Sequence, residues 1–172
     1  MKILITIAAT SLLLVGNAMA QAPNDAQIAS IVVTANQVDI DAGRLAESKG
    51  SNSEVKAFGK QMVTDHSGVN RQAVALVTKL KVTPEDNPTS KSLKAGGVDN
   101  VKNLKGLSGI AFDRAYIKHE VVYHEQVIDT IDKVLIPNAQ NAELKSLLVA
   151  VRPAFVAHLV HAKSLETTLG SN

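Results

Sequence analysis

The sequence predicts an all-α domain, a four-helix bundle made of two antiparallel hairpins. Apolar residues recur at spacings of three and four along four separate stretches, the signature of helices that each bury one stripe. Short polar breaks separate the first stretch from the second and the third from the fourth, whereas a long connection divides the two pairs. Two short-looped pairs joined by one long crossover is the ferritin-like arrangement of a four-helix bundle.

The first helix is read from Ile28, Ile31, Ala35, Val38, Ala42 and Leu45, with Gly50 as its stop. "SNSE" follows at once and offers a capping box, with Ser51 bonding the backbone at Glu54. The second helix carries the stripe Val55, Gly59, Met62, His66, Val69, Ala73, Leu76 and Leu80. A third opens after Ser108 with Ile117, Val121, His124, Ile128, Ile131 and Leu135. "IPNAQN" is a short break holding Pro137 and the cap candidates Asn138 and Asn141. The fourth helix then runs through Leu144, Leu148, Val151, Phe155, His158, Ala162, Leu165 and Leu169. The connection from Lys81 to Gly106 is rich in proline, glycine and lysine and reads as a solvated linker, with Gly96-Gly97 as a turn.

Ahead of the bundle, "MKILITIAATSLLLVGNAMA" has a lysine, an apolar run from Ile3 to Val15 and the small-x-small end Ala18-Met19-Ala20. That is the pattern of a cleaved signal peptide, residues 1–20, whose apolar run is shorter than the roughly 20 residues of a membrane span. Its removal leaves residues 21–172 as one domain, with a periplasmic location as the expectation. The chain has no cysteine, so lipid anchoring, disulfides and thiolate metal sites are excluded. With 18 basic and 16 acidic residues, there is no electrostatic case for nucleic acid. No membrane-spanning helix or barrel-strand pattern is read beyond the signal.

Three of the four stripes contain one histidine near the middle: His66, His124 and His158. A buried imidazole must be neutral or compensated, and neutral imidazole is the commonest ligand of zinc, copper, iron and nickel. Three from separate helices suggest a divalent transition-metal site (zinc, copper or iron). Glu120, one turn before His124, and Asn70, one turn after His66, are positioned to fix ring tautomers. Asp65 and His161 are candidates for a fourth ligand. The stretch "HEVVYH" misses a zinc-protease motif because its histidines stand one residue too far apart, leaving His119 and His124 rotated by roughly 140° about the helix. Hairpin register is the weak point of this reading: counted from Leu135 and from Asn138, His124 and His158 stand about 13 Å apart in depth. Asp39, Asp41 and Glu47 fall off the apolar stripe of the first helix and read as a solvated face. Glu-x-x-His is absent, which argues against a di-iron oxidase.

"QMVTDHSGVN", "FDRAYIKHEVVYH" and "AHLVHAKSL" resemble the domain-of-unknown-function family numbered 4142, over about residues 27 to 169. Its D-H, F-D-x-x-Y and later histidine positions match Asp65-His66, Phe112-Asp113-Tyr116, His124 and His158. The resemblance implies exported bacterial proteins of ferritin-like fold, often given an outer-membrane label, with no established reaction. Two readings of different class stand side by side. One is a metal-binding bundle using His66, His124 and His158 with Glu120 or Asp65. The other is a non-catalytic envelope protein, peripheral to the outer membrane, that binds a protein partner or a lipid surface and uses its histidines only as a buried polar network.

Overall fold

In the computed structural model, residues 22–170 are described; the signal peptide expected at residues 1–20 lies outside them. The described residues are all helical in their regular structure. Helix α1 spans Asp25–Lys49, α2 Ser53–Leu80, α3 Pro88–Lys105 and α4 Gly109–Thr130. A π-helical turn, Ile131–Leu135, and a last α-turn, Ile136–Asn138, prolong α4 before the final helix, α5, at Ala142–Gly170.

Side-chain pairings give the directions. Asn36 meets His66 and Asn70 meets Val33, so α2 runs back along α1. Arg152 pairs with Asp132 and Arg114 with the Leu169 carbonyl, so α5 runs back along α4. Ser51 donates to Asp113 at one end and the Asn141 N–H to Asp25 at the other, with the Tyr123 hydroxyl donating to the Ala35 carbonyl across 3.0 Å between them, so α4 runs antiparallel to α1. The fourth contact, α2 with α5, is made where His66 and Phe155 meet. Each of the four long helices is thus antiparallel to both of its neighbours. The second and third of them point the same way, so the connection between them must travel the full length of the protein.

That connection is where the sequence reading fails. The stretch read as a solvated linker, 81–106, is mostly helix α3. Asn87 caps it by accepting from the Ser90 N–H while the Ser90 hydroxyl accepts from the Asn87 N–H, and Pro88 occupies the first turn. Proline there is a helix start, not a loop marker. α3 runs parallel to α1: Asn87 donates to the Gln27 carbonyl at one end, and Lys49 donates to the Lys105 carbonyl at the other. The expected turn at Gly96-Gly97 is helical instead. Gly97 is buried, and a Cβ there would lie 2.6 Å from a Val38 methyl, so its missing side chain lets α3 lie close on α1.

Two caps also differ from the expectation. Asn52, not Ser51, caps α2, because the Ser51 hydroxyl and N–H are both taken by Asp113 of α4. Asn138 caps no helix start; its amide donates to the Val134 carbonyl, and Asn141 caps α5. The α1–α2 hairpin is closed by a reciprocal glycine contact. A Cβ on Gly59 would lie 2.7 Å from the Gly43 carbonyl oxygen, and one on Gly43 would lie 2.8 Å from that of Gly59.

The core is in two parts. One cluster gathers Ile28, Ile31, Leu144, Leu148 and Phe155 near the start of α1. The other gathers Phe58, Met62, Phe112, Ile117 and Leu165 near its end. By length and mean hydropathy (1.3 in its most apolar window) α5 would also suit a membrane span. Here its stripe from Leu144 to Leu169 faces these clusters, with His158 in the middle.

The glycine contact predicts opposite outcomes for one substitution at two places in α2. Gly59→Ala gains helix propensity but forces α1 and α2 apart, a net loss of about 1–2 kcal/mol. Gly68→Ala, whose Cβ would meet nothing nearer than 3.8 Å, gains about 0.5–1 kcal/mol. Denaturant midpoints check both.

A buried histidine and carboxylate layer between two apolar clusters

The three histidines converge. Ring centroids are 5.7 Å apart for His66–His124, 5.2 Å for His66–His158 and 5.5 Å for His124–His158. All three residues are buried. The expected depth mismatch between His124 and His158 disappears because α4 does not end at Leu135. The π-turn and the last α-turn carry it to Asn138, so His124 lies 14 residues before that end and His158 lies 16 after the start of α5 at Ala142. Pro153 sits inside α5 without interrupting it.

Each ring is held from behind. His66 Nδ1 lies 2.7 Å from Asn36 Oδ1, and the Asn36 amide nitrogen donates to the Val32 carbonyl, so Oδ1 accepts and Nδ1 carries the proton. His124 Nδ1 lies 3.0 Å from the Glu120 backbone carbonyl, which only accepts. His158 Nε2 lies 2.9 Å from Asp65 Oδ2. In the neutral rings these bonds leave His66 Nε2, His124 Nε2 and His158 Nδ1 as bare acceptors. All three atoms are buried without a hydrogen-bond partner, and the three residues offer ligand atoms within 4.8 Å of one another.

Two carboxyl groups complete the layer. Asp39 of α1, read from the sequence as part of a solvated face, is 1% exposed, and Glu120 is fully buried beside it. Asp39 Oδ2 is 3.5 Å from His66 Nε2, and Asp39, Glu120 and His124 also offer ligand atoms within 4.8 Å of one another. Apart from the hydrogen bond that a protonated carboxyl of this pair makes to the other, the four carboxyl oxygens have no partner. The Tyr116 hydroxyl, one turn before Glu120, is likewise buried and unpartnered.

The other sequence candidates are placed differently. Asp65 lies on the outer side of the His158 ring, its side chain 41% exposed. Asn70 turns its amide to the Val33 carbonyl, leaving the role of holding His66 to Asn36. His161 is exposed and packs edge-on against Phe58. Asp41 and Glu47 are exposed, as their solvated-face reading expects. Reasoning from sequence missed Asn36 and Asp39. Asp39 sits one turn from the stripe residues Ala35 and Ala42, and Asn36 one turn from Asp39; the only signal was that apolar residues occur on nearly every side of that helix.

Burial governs the protonation of the layer. It disfavours every charged form, so the imidazole values fall and the carboxyl values rise. His124 is pushed down to about 4 by burial, reinforced by the neighbouring His158. His66 falls well below the usual range by burial and the charges of His124 and His158, and His158 falls by burial against the pull of Asp65. Glu120 is pushed up to about 8 by burial, and Asp39 rises well above the carboxylate range by burial and the Glu120 charge. Near neutral pH the metal-free layer is therefore uncharged.

The fold and this layer define an all-helical protein with histidines and carboxyls gathered at the centre of its core. The chain belongs to the family described as Domain of unknown function (DUF4142), whose match covers residues 14–165. No curated protein and no solved structure matches it.

These shifts set the pH dependence of folding for the metal-free protein. The histidines favour folding above about 6.5, where the unfolded chain is also neutral, and lose that contribution as pH falls below it, His124 down to about 4. Glu120 and Asp39 act in the opposite sense: the Glu120 contribution is complete below about 4.5 and is lost as pH rises through about 8, and Asp39, also raised, loses its contribution in the same direction. Stability should peak near pH 6.5 and fall by about 1 kcal/mol or more per unit towards pH 8. Glu120→Gln should flatten the alkaline limb, as read from unfolding midpoints across pH.

Proposed function

We propose that this is an exported, periplasmic protein whose central layer binds one divalent transition-metal ion, zinc, copper or iron. The ligands are His66 Nε2, His124 Nε2 and His158 Nδ1, with Asp39 and Glu120 beside them. The observation that carries the reading is the arrangement of ring nitrogens. Each imidazole spends one nitrogen on an acceptor behind it and leaves the other bare and buried, in three residues that offer ligand atoms within 4.8 Å of one another. Metal-binding histidines are held in this way, whereas a self-contained polar network would pair the inward atoms with one another.

Distances suit an ion. Two donors at about 2.1 Å from one metal stand roughly 3.4–4.2 Å apart, a little inside the 4.8 Å within which the three histidines offer ligand atoms. Charge fits as well. Three neutral imidazoles leave a dication uncompensated in a dry core, and two ionised carboxylates beside it bring the layer to neutrality. Nitrogen-rich donor sets favour zinc, copper and iron over magnesium or calcium, which prefer oxygen. Asp65, bonded to the far nitrogen of His158, orients that ring from outside the layer. The four long helices with their full-length crossover support the ferritin-like four-helix bundle expected from the sequence. The cleavable N-terminal pattern supports export. No reaction is assigned.

Titration of the purified, metal-stripped protein with zinc, copper, cobalt and ferrous iron tests the reading. One ion per chain is expected, with affinity lost in a His66→Ala, His124→Ala, His158→Ala triple variant and reduced about 10–100-fold in Asn36→Ala. No binding, or binding that survives the triple variant, overturns it. Because the empty layer holds its carboxyl protons at pH 7, uptake should release about two protons, or about one in Glu120→Gln. Calorimetry in buffers of different ionisation enthalpy reads that number.

A further inference from the structure

A cavity of about 380 Å³ lies next to the histidine layer, on the side of the first apolar cluster. Its inner wall is Asn36 and Phe155. Both belong to the layer's surroundings: Asn36 holds His66, and the Phe155 ring lies 5.0 Å from that of His66, 6.0 Å from His124 and 6.3 Å from His158. An occupant of the cavity therefore touches the wall against which all three rings rest.

Three features set this space apart from imperfect packing. Protein interiors contain few voids larger than a water molecule, and this one is more than twice the roughly 150 Å³ apolar cavity known to accept benzene. The π-turn at Ile131–Leu135 lies on it, with Ile131 and Leu135 both in its wall, and single π-turns are frequent at functional sites. Its lining is graded. The deep residues, such as Leu148 and Val151, are buried and apolar, whereas Thr89 and Ser92 of α3 and Gln126 of α4 are exposed and mark the mouth. No charged side chain lines it.

We propose that this cavity binds a neutral, mainly apolar small molecule of about two-ring size, with one hydrogen-bonding group held at the mouth, against the wall of the metal layer. Size follows from the volume, which is at the lower end for ligand pockets. Neutrality follows from the lining, since a charged group would enter a space with no counter-charge. The polar group follows from the hydroxyls and amide at the mouth. α3, the helix hidden in the apparent linker, supplies that mouth. Only the effect of the ligand on the metal rests on the function proposed above; binding itself does not.

The metal-stripped protein is titrated with the neutral fluorophore N-phenyl-1-naphthylamine. Saturable binding of one probe per chain is expected. The sulfonated analogue 1-anilinonaphthalene-8-sulfonate should bind at least about ten-fold more weakly, and Val151→Phe, which fills the cavity, should weaken the neutral probe by a similar factor. Thr89→Trp, at the exposed mouth, serves if the core variant does not fold. Absent saturation, equal binding of the charged probe, or unchanged affinity in a folded variant overturns the proposal. Binding that rises as a dimer is diluted also overturns it, by making the mouth an interface with a second copy. Naphthalene is then added to the cobalt-loaded protein, and the visible spectrum of cobalt should shift. Cobalt that binds without shifting while probe binding holds removes the contact with the layer. Failure of cobalt to bind sinks the metal reading and leaves the cavity standing.

Discussion

The structure depends on keeping three neutral imidazoles and two carboxyl groups together in a dry layer with their ring orientations set. Each group would be better solvated in water, so the layer persists only because apolar clusters on either side hold the helices around it. The reciprocal Gly43–Gly59 contact fixes how closely α1 approaches α2, and so how far Asn36 must reach to hold His66. The Tyr123–Ala35 bond fixes α4 against α1 one residue before His124 and near Asp39. These pins lie within a few turns of the layer, and none of them is a surface ion pair. Exposed pairs such as Lys79–Glu143 and Lys163–Glu125 decorate the outside and contribute little.

The histidines were legible in the sequence because each interrupts an otherwise apolar three-four series, and an amphipathic helix leaves no choice about which way such a residue faces. Asp39 was not legible, and the reason is α3. A helix at the corner of a four-helix bundle buries one stripe, and judged by that stripe Asp39 should face water. But α1 is covered by α2, α4 and α3 together, so residues on several of its sides are buried, among them Asn36, Asp39 and Ile40. Reading the lysine-rich crossover as a loop and reading Asp39 as solvated were linked errors, since both underestimate how enclosed α1 is. The apolar residues Val32, Val33 and Ile40, off the stripe on other sides of that helix, were the overlooked sign.

Register was the other limit. Whether His124 meets His158 depends on where the α4–α5 turn falls, and Pro137 invited an early break. The chain instead passes through a π-turn, in which the ladder is already shifted to i→i+5, and closes at Asn141. A change of a few residues in a hairpin turn moves a side chain by several ångströms along the partner helix, so no count of apolar positions decides such a meeting.

The family-matching residues now have separable physical roles. Asp113 accepts the Ser51 and Asn52 N–H groups and ties the start of α2 to α4, which is an architectural duty. Asp65 holds His158 from outside, Tyr116 lies beneath Glu120, and His66, His124 and His158 face inward. Only the last group would touch a metal; the others decide whether its atoms arrive bare and aimed. An uncharged layer can be buried without an ion, because burial itself moves the protons to the neutral arrangement, off the imidazoles and onto the carboxyls. A dication reverses that preference for the carboxyls while still requiring unprotonated imidazoles. Thus the same five groups suit a folded metal-free protein and could hold an ion in exchange for protons.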